Sequence, residues 1–529
     1  MPKVLVADKI SPTGVALLKA QAGYEVIEAY GSSPEKVLEL VKDVHAILVR
    51  SETQITREVL NAAQKLVCVG RAGVGVDNID VDAATERGVI VMNTPSGNTV
   101  ATAELTFSHL LSLARPVPEA VQSMREGKWD RKTLSGTELF SKNLGILGLG
   151  RIGAEVAKRA IAFGMKVYAY DPYLTEARAK SLGVQMSTLD EVFAVSDYIT
   201  VHMPLTPQTE GMVNADAFAK MKKGVKIVNC ARGGIVDEAA LAAALQSGQC
   251  GGCGFDVFVE EPLVKDHILR TLPKAHLSPH LGASTAEAQE NVGVEVAEAA
   301  IAVLNGGSPA NAVNLPSVDS QTLSTIRPFL SLAEKLGAIV RQLAAPGRIE
   351  SIRLTTYGTG SEQGAGAISR SIQRGYLRGI VEGVNDVNAP SKLKALGVEV
   401  QSVRSSAEAD YKELIHVEAI LAGGKSVSIS GTVLGKAQSP RIVSINGRTL
   451  EFIPEGKLLL IENQDQPGII GALGTILSKE KVNIANMALS RTGGTNAFAV
   501  YQLDSAPSAA TLAEIQKNSA IVRAQLIDA

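Results

Sequence analysis

Three polar residues stand just past successive apolar runs in the middle of the chain: Arg232, Glu261 and His280. Arg232 follows Val225–Asn229, Glu261 follows Gly254–Val257, and His280 follows Ser278-Pro279. An imidazole with a pKa of about 6.5 exchanges a proton near neutral pH. A carboxylate beside it fixes its orientation and favours its charged form. A guanidinium grips a carboxylate in a planar fork and polarises an adjacent carbonyl. Together they supply what hydride transfer at a hydroxy acid requires: an acid/base, its orienting partner and an anion clamp. Taken singly, each has a plainer explanation, since arginines and glutamates at strand ends are mostly solvated and a lone histidine is mostly structural. The combination is what points to chemistry.

A second motif precedes them. Gly148-Leu149-Gly150-Arg151-Ile152-Gly153 follows the apolar run Leu144–Leu147 and opens a helical stretch, Ile152–Phe163. Gly148 permits the tight turn, Gly150 lets backbone approach a pyrophosphate, and Gly153 lets the helix pack on the strand. Free N–H groups at the helix start favour phosphate. Asp171 falls 23 residues after Gly148, at the end of Val167–Tyr170. An acid there accepts hydrogen bonds from ribose hydroxyls and repels a 2′-phosphate, which predicts NAD rather than NADP. The alternative is a purely structural turn followed by an ordinary surface aspartate.

The elements that must carry these residues alternate. Val4–Ala7, Ala46–Val49, Leu66–Val69 and Val89–Met92 read as strands, with helices after Pro12, Pro34 and Thr56. A helix begins near Asn98 and is interrupted at Pro116 and Pro118. The alternation resumes with Leu144–Leu147, Val167–Tyr170, Ile199–His202, Val225–Asn229 and Gly254–Val257. The pattern predicts an α/β class with two doubly wound parallel-sheet units. Ser284–Leu304 reads as a helix able to return to the first unit, and Gly306–Pro316 as a linker. Lys425–Val433 and Ile442–Ile453 are β-rich, and the last stretch, from Leu458, suggests a ferredoxin-like α+β module.

A length of 529 residues suggests three or four domains. With 52 basic and 54 acidic residues and 4% aromatics, the chain has neither the basic stripe nor the stacking platforms of a nucleic-acid binder. No apolar stretch reaches the ~18 residues of a membrane span, and the N-terminus lacks a signal-peptide pattern. Four cysteines do not make a disulfide framework, so a reducing cytoplasm is expected. Cys250-Gly251-Gly252-Cys253 has metal or redox spacing, but no second pair completes a zinc site. Core packing is expected there, and no metal.

The runs Val228–Asp237, Phe255–Pro262 and Ser278–Ala283 resemble the D-2-hydroxyacid dehydrogenase family. The likeness extends over the whole chain, to the long form with an intervening domain and a C-terminal ACT domain. It implies a Rossmann NAD-binding domain at 98–283, a substrate-binding domain at 1–97 and 284–316, an intervening domain at 317–452 and an ACT domain at 453–529. It implies Arg232, Glu261 and His280 as catalytic residues. NAD would be held by Gly148, Gly150, Arg151, Ile152, Gly153, Asp171, Met203, Pro204, Cys230, Ala231, Asp256, Gly282 and Ala283, with His202 supporting the loop. Arg50 and Ser51 end one strand and Arg71-Ala72-Gly73-Val74-Gly75 another. Amides of such a glycine loop form a carboxylate nest, and arginines hold phosphate. The resemblance assigns Ala72–Val74 to the carboxylate, Arg50 and Arg71 to the phosphate end or carboxylate, Asn98 to the substrate, and Arg131 to a neighbouring subunit's site.

The implied reaction is NAD-dependent oxidation of 3-phosphoglycerate on the way to serine, in a homotetramer. A serine effector would contact Asn463, Asp465 and Asn483 in the run Ile461–Gly468 and at Val482-Asn483-Ile484. Arg441 and Arg448 are candidates for holding a second anion in the intervening domain, although such arginines are mostly solvated. Glyoxylate or hydroxypyruvate reduction, or NAD sensing without turnover, remain as alternatives.

Overall fold

The computed structural model describes every residue except 308–310, 317, 319, 359–363, 406 and 492–494. Its first sheet is built from β1 (Lys3–Val6), β2 (Glu25–Glu28), β3 (Ala46–Val49), β4 (Cys68–Arg71) and β5 (Ile90–Met92). All are parallel, in the order β2-β1-β3-β4-β5. The helices between them start where the sequence places caps. Ser11 and Ser33 cap helices with proline in the first turn, and Thr56 caps Arg57–Ala62.

The second sheet comprises β6 (Asn143–Leu147), β7 (Lys166–Tyr170), β8 (Gln185–Met186), β9 (Tyr198–Val201), β10 (Val225–Asn229), β11 (Cys250–Phe255) and β12 (Ala275–Leu277). It too is wholly parallel, in the order β12-β11-β10-β9-β6-β7-β8. Strand order reverses between β6 and β9 here, and between β1 and β3 in the first sheet. Each reversal opens a crevice at the carboxyl ends of the strands, where such sheets bind ligands. Two doubly wound units are therefore present, as the alternation predicts. The short strands β2, β8 and β12 go beyond it: the two sheets' edges carry few apolar residues and leave no run to read. β4 starts two residues later than Leu66, and β11 starts at Cys250, taking the glycine–cysteine run into the core.

The helix Ala286–Leu304, capped by Thr285, returns to the first sheet. Its Val292, Val296, Ala297, Ala300 and Val303 pack on Val4, Val6, Leu48 and Met92. Each buried valine is worth about 1.5–3 kcal/mol relative to exposure. The segment after it is no free linker. Asn314 accepts from Val91 N–H (3.0 Å) and donates to the Val89 carbonyl (2.9 Å), and Ala312 bridges Met92.

The third sheet runs β14-β13-β15-β16-β17-β18, from β13 (Ile349–Tyr357), β14 (Glu399–Ser405), β15 (Leu414–Leu421), β16 (Ser426–Leu434), β17 (Ser439–Ile445) and β18 (Arg448–Phe452). Only β13 and β14 pair in parallel. The stretch expected at Ile442–Ile453 is cut at Asn446-Gly447, both at positive φ (49° and 73°), a two-residue hairpin turn. The last module is β19 (Lys457–Gln464), helix Ile469–Lys479, β20 (Ile484–Arg491), β21 (Asn496–Leu503), helix Ala509–Gln516 and β22 (Ile521–Asp528). Its order, β20-β21-β19-β22, is ferredoxin-like, with β22 closing the sheet beyond what periodicity shows. Leu458, Leu460, Phe498 and Val500 on one face join the core of the third sheet, while Leu459, Ile461 and Tyr501 face the module's own helices. No helix among the described residues is long and apolar enough to cross a membrane.

Candidate active site

The glycine turn joins β6 to the helix Arg151–Ala162. Gly148 has φ +95°, and a Cβ there would lie 2.7 Å from the His202 carbonyl oxygen; one on Gly153 would lie 2.2 Å from the Gly148 carbonyl oxygen. Gly150 alone has open space around it. Backbone conformation and packing thus require the outer glycines, while the middle one keeps the approach to the helix N-terminus clear, as a pyrophosphate needs. The Asp171 carboxylate accepts from Leu149 N–H (2.9 Å), Tyr173 N–H (2.9 Å) and Leu174 N–H (3.2 Å). It braces the turn and leaves one of its roughly four acceptor positions open. Met203 and Cys230 are buried beside this crevice, Ala231 follows Cys230, and Pro204 is exposed. Burial pushes the Cys230 thiol up to about 12, so it is neutral. Burial likewise pushes His202 down to about 3; its Nε2 meets Thr200 Oγ1 at 3.0 Å. Gly150→Val is expected to leave the fold intact and weaken NAD binding at least about tenfold, measured by calorimetry; unchanged affinity would remove the turn from the cofactor site.

The three chemical side chains come together from loops after β10, β11 and β12. His280 Nδ1 lies 2.6 Å from Glu261 Oε2, and Phe258 N–H donates to Glu261 Oε1 at 3.0 Å. Burial raises the Glu261 carboxyl, but the His280 and Phe258 hydrogen bonds and the nearby Arg232 charge outweigh it and hold the carboxyl below its usual range. Such a depressed carboxyl stabilises the fold above its unfolded value of 4.5, and the stabilisation is lost as pH falls through the folded value. Glu261→Gln is therefore expected to be less stable than the parent at pH 7, with the gap closing below about pH 4. Denaturant titrations at both pH values check this, and a gap that widened in acid would contradict it.

His280 sits at φ +53°, its N–H bonded to the Asp256 carbonyl (2.9 Å). Asp256 is wholly buried and accepts from Ser278 Oγ (2.6 Å), Leu281 N–H (2.7 Å) and Gly282 N–H (2.8 Å). Its carboxylate therefore faces the loop 278–282 and not an open cofactor cleft, and its influence on a cofactor runs through that loop. Gly282 is buried, with Ala283 half-buried after it.

Arg232 reaches across to the first unit. Its Nε lies 3.2 Å from Asp77 Oδ2, and its Nη1 donates to the Ala231 carbonyl at 2.6 Å. A Cβ on Gly75 would stand 1.7 Å from Arg232 Nη2, so glycine is required for this approach. Arg71 and Arg50 complete the group: Arg71 Nε donates to the Arg50 carbonyl at 3.3 Å. Burial, with the Arg232 and Arg50 charges, pushes Arg71 down to about 10, against the pull of Asp77. Arg232 thus pairs with Asp77, Arg71 feels the charges of both, and the Arg50 charge lies close to Arg71.

Two of the three amides expected to nest a carboxylate are bonded within the fold. Ala72 N–H bonds the Val49 carbonyl and Gly73 N–H the Arg71 carbonyl, both at or below 2.9 Å. Val74 and Gly75 have N–H groups with no partner among the described residues, one step further along the loop. The Arg50 loop is held by Asp8, which composition and motifs do not mark: it is buried after β1 and accepts from Arg50 N–H (2.6 Å) and Thr53 N–H (3.2 Å). Ser51 is exposed, and Asn98 Oδ1 is buried without a partner among the described residues.

Other expected positions lie apart. Arg131 is exposed on the loop after the helix Val117–Arg125. In the last module Asn463 is buried and donates to the Gln464 carbonyl (2.7 Å), and Asp465 pairs with Arg491 (2.8 Å). Asn483 bonds Asp504 (2.8 Å) just before Ile484, which pairs with Leu503. Leu503 lies opposite Lys457, so Asn483 stands at the other end of the sheet from Asn463. One chain does not bring the three together. Arg448 pairs with Glu462 and Arg441 with Glu451 (3.9 Å). Cys250 and Cys253 are buried with thiols pushed up by burial, and no metal-binding group of acidic, histidine or cysteine residues occurs among the described residues.

Residues 107–282 match the D-isomer specific 2-hydroxyacid dehydrogenase NAD-binding domain, which places fold and site among the NAD-dependent dehydrogenases of 2-hydroxy acids. Residues 325–446 match the D-3-phosphoglycerate dehydrogenase intervening domain and 457–520 the ACT domain. The D-3-phosphoglycerate dehydrogenase of Bacillus subtilis is 41% identical over the whole of both chains; that of Mycobacterium tuberculosis is 42% identical over 95% of each. The chain belongs to the D-3-phosphoglycerate dehydrogenase family. Among solved structures, a glyoxylate reductase from Paecilomyes thermophila covers 59% of this chain and 98% of its own, at 32% identity and TM-score 0.55. D-lactate dehydrogenase from Aquifex aeolicus, solved with NAD and lactic acid, covers 60% of this chain and 100% of its own, at 28% identity and TM-score 0.54.

Proposed function

We propose that the chain oxidises 3-phospho-D-glycerate to 3-phosphohydroxypyruvate with NAD, the first step toward serine, in the cytoplasm. The observation that carries this reading is Arg232 beside the His280–Glu261 pair, with Arg71 close to Arg232 and the Arg50 charge close to Arg71. A substrate with a carboxylate at one end and a phosphate at the other satisfies that excess of positive charge. Bound NAD, held by the glycine turn and Asp171, supplies the hydride acceptor. His280 donates Nδ1–H to Glu261, which leaves Nε2 to take the hydroxyl proton as the carbon-2 hydride departs. Arg232 Nη2, with the Val74 and Gly75 amides, grips the carboxylate and the developing carbonyl oxygen. Arg50 and Arg71 hold the phosphate end.

Two supports favour a homo-oligomer, a tetramer with serine as effector. Val117, Val121 and Met124 on one helix, with Trp129 and Phe140 nearby, are exposed and apolar. Asn483 meets Asn463 and Asp465 around one ligand only if two copies contribute. NADH formation with 3-phosphoglycerate, compared with glyoxylate and hydroxypyruvate reduction and repeated with serine, tests the reading. The phosphorylated substrate is expected to be preferred on the order of 100-fold in kcat/KM; equal use of the unphosphorylated acids would overturn it.

A further inference from the structure

We propose that Asp77 is a positioning residue that sets the plane of the Arg232 guanidinium. The inference rests on Arg232 being the substrate clamp. Asp77 belongs to the first unit, on the loop after β4, and Arg232 to the second, so their 3.2 Å contact spans the crevice between the two sheets. It engages Nε, the one nitrogen of the fork attached to the side-chain stem. The Ala231 carbonyl holds Nη1. These two contacts fix rotation about the guanidinium and leave Nη2 against the Gly75 backbone, where a Cβ would be 1.7 Å away. The Val74 and Gly75 amides, without partners among the described residues, belong to the same stretch of loop. Arg232 Nη2 and the Asp77 carboxylate both lie against Gly75, and Asp77 thereby aims the guanidinium.

Asp77 is 72% exposed in its side chain, so it does not serve the core. It also subtracts a negative charge from a site that must receive an anion. A group kept there in spite of that cost acts on geometry, and its loss has a signature opposite to that of a binding residue. Removing the carboxylate makes the site more positive, so substrate affinity does not fall. It also frees Arg232 to leave the reactive alignment, and displacement of about 1 Å can cost around 10²-fold in rate.

The test is steady-state kinetics on the full-length Asp77→Ala and Asp77→Asn enzymes with 3-phosphoglycerate and NAD. Asp77→Ala is expected to lower kcat about 10–100-fold while KM for 3-phosphoglycerate stays level or falls and the Kd for NAD is unchanged. Asp77→Asn, whose amide oxygen keeps the shape of the carboxylate facing Nε, is expected to recover part of the loss. The proposal is overturned if kcat of both variants stays within about twofold of the parent, or if KM rises tenfold at constant kcat. Should the alanine variant fail to fold, the isosteric asparagine variant carries the test alone, with a partial fall in kcat expected. If the parent does not turn over 3-phosphoglycerate, the substrate reading fails by itself, and Asp77 is judged on the 2-hydroxy acid the parent does oxidise.

Discussion

His280→Asn is expected to lower kcat by about 10²–10⁴-fold while the Kd for NAD changes less than about twofold. The separation follows from the layout. The imidazole meets Glu261 on a loop after β12, whereas the glycine turn and Asp171 lie after β6 and β7. Asparagine has no group that exchanges a proton near neutral pH, so the carbon-2 hydroxyl must lose its proton to water. Its amide still fits the loop, whose backbone is anchored by Asp256, so the fold survives. Stopped-flow turnover beside calorimetric NAD binding reads both quantities. Turnover near that of the parent would place the acid/base elsewhere.

Arg232→Lys is expected to lower kcat/KM for 3-phosphoglycerate about 10²–10³-fold. The charge survives the exchange, but the geometry does not. Arg232 uses Nε toward Asp77 and Nη1 toward Ala231 while Nη2 remains beside Gly75. The three N–H donors of an ammonium radiate from one nitrogen and cannot reach the three separated positions of the planar fork. It settles on Asp77, the nearest carboxylate, and the Val74–Gly75 amides lose their partner donor. A loss of less than about tenfold would show that charge alone suffices.

Much of this site is legible in the residue string, for a definable reason. The glycine turn, Asp171 and the loops carrying Arg232, Glu261 and His280 all follow apolar runs at strand ends, and strand ends are where a parallel sheet exposes its ligands. The chemistry therefore sits in local sequence context. What stayed hidden depends on contacts between distant segments. Asp77 is an ordinary loop acid until Arg232 arrives from 155 positions away. Asp8 is an ordinary acid after a strand until the Arg50 loop folds over it. The Ala72 amide is withheld from the expected nest because the carbonyl of Val49, on the neighbouring strand, takes it.

The fold shows the same division. Ala46–Val49 is apolar throughout and was readable; β2, with sequence Glu-Val-Ile-Glu on an edge, was not. The hairpin at Asn446-Gly447 carried a recognisable dipeptide signal that the apolar content on either side concealed. Asn314 reads as part of a linker because only the folded chain shows its side chain pairing with β5.

The return of Ala286–Leu304 to the first sheet sets a timetable for the nascent chain. Val4, Val6 and Leu48 leave the ribosome some 240 to 290 residues before Val292 and Val296, which cover them. At roughly 5–20 residues per second, that face waits on the order of ten to sixty seconds for its partner. During synthesis the N-terminal segment is thus a sticky, unfinished layer, completed only after the whole nucleotide-binding unit has emerged. Moving that helix to the front of the gene by circular permutation would let the layer close on itself early, and would shorten the interval in which chaperones have something to hold.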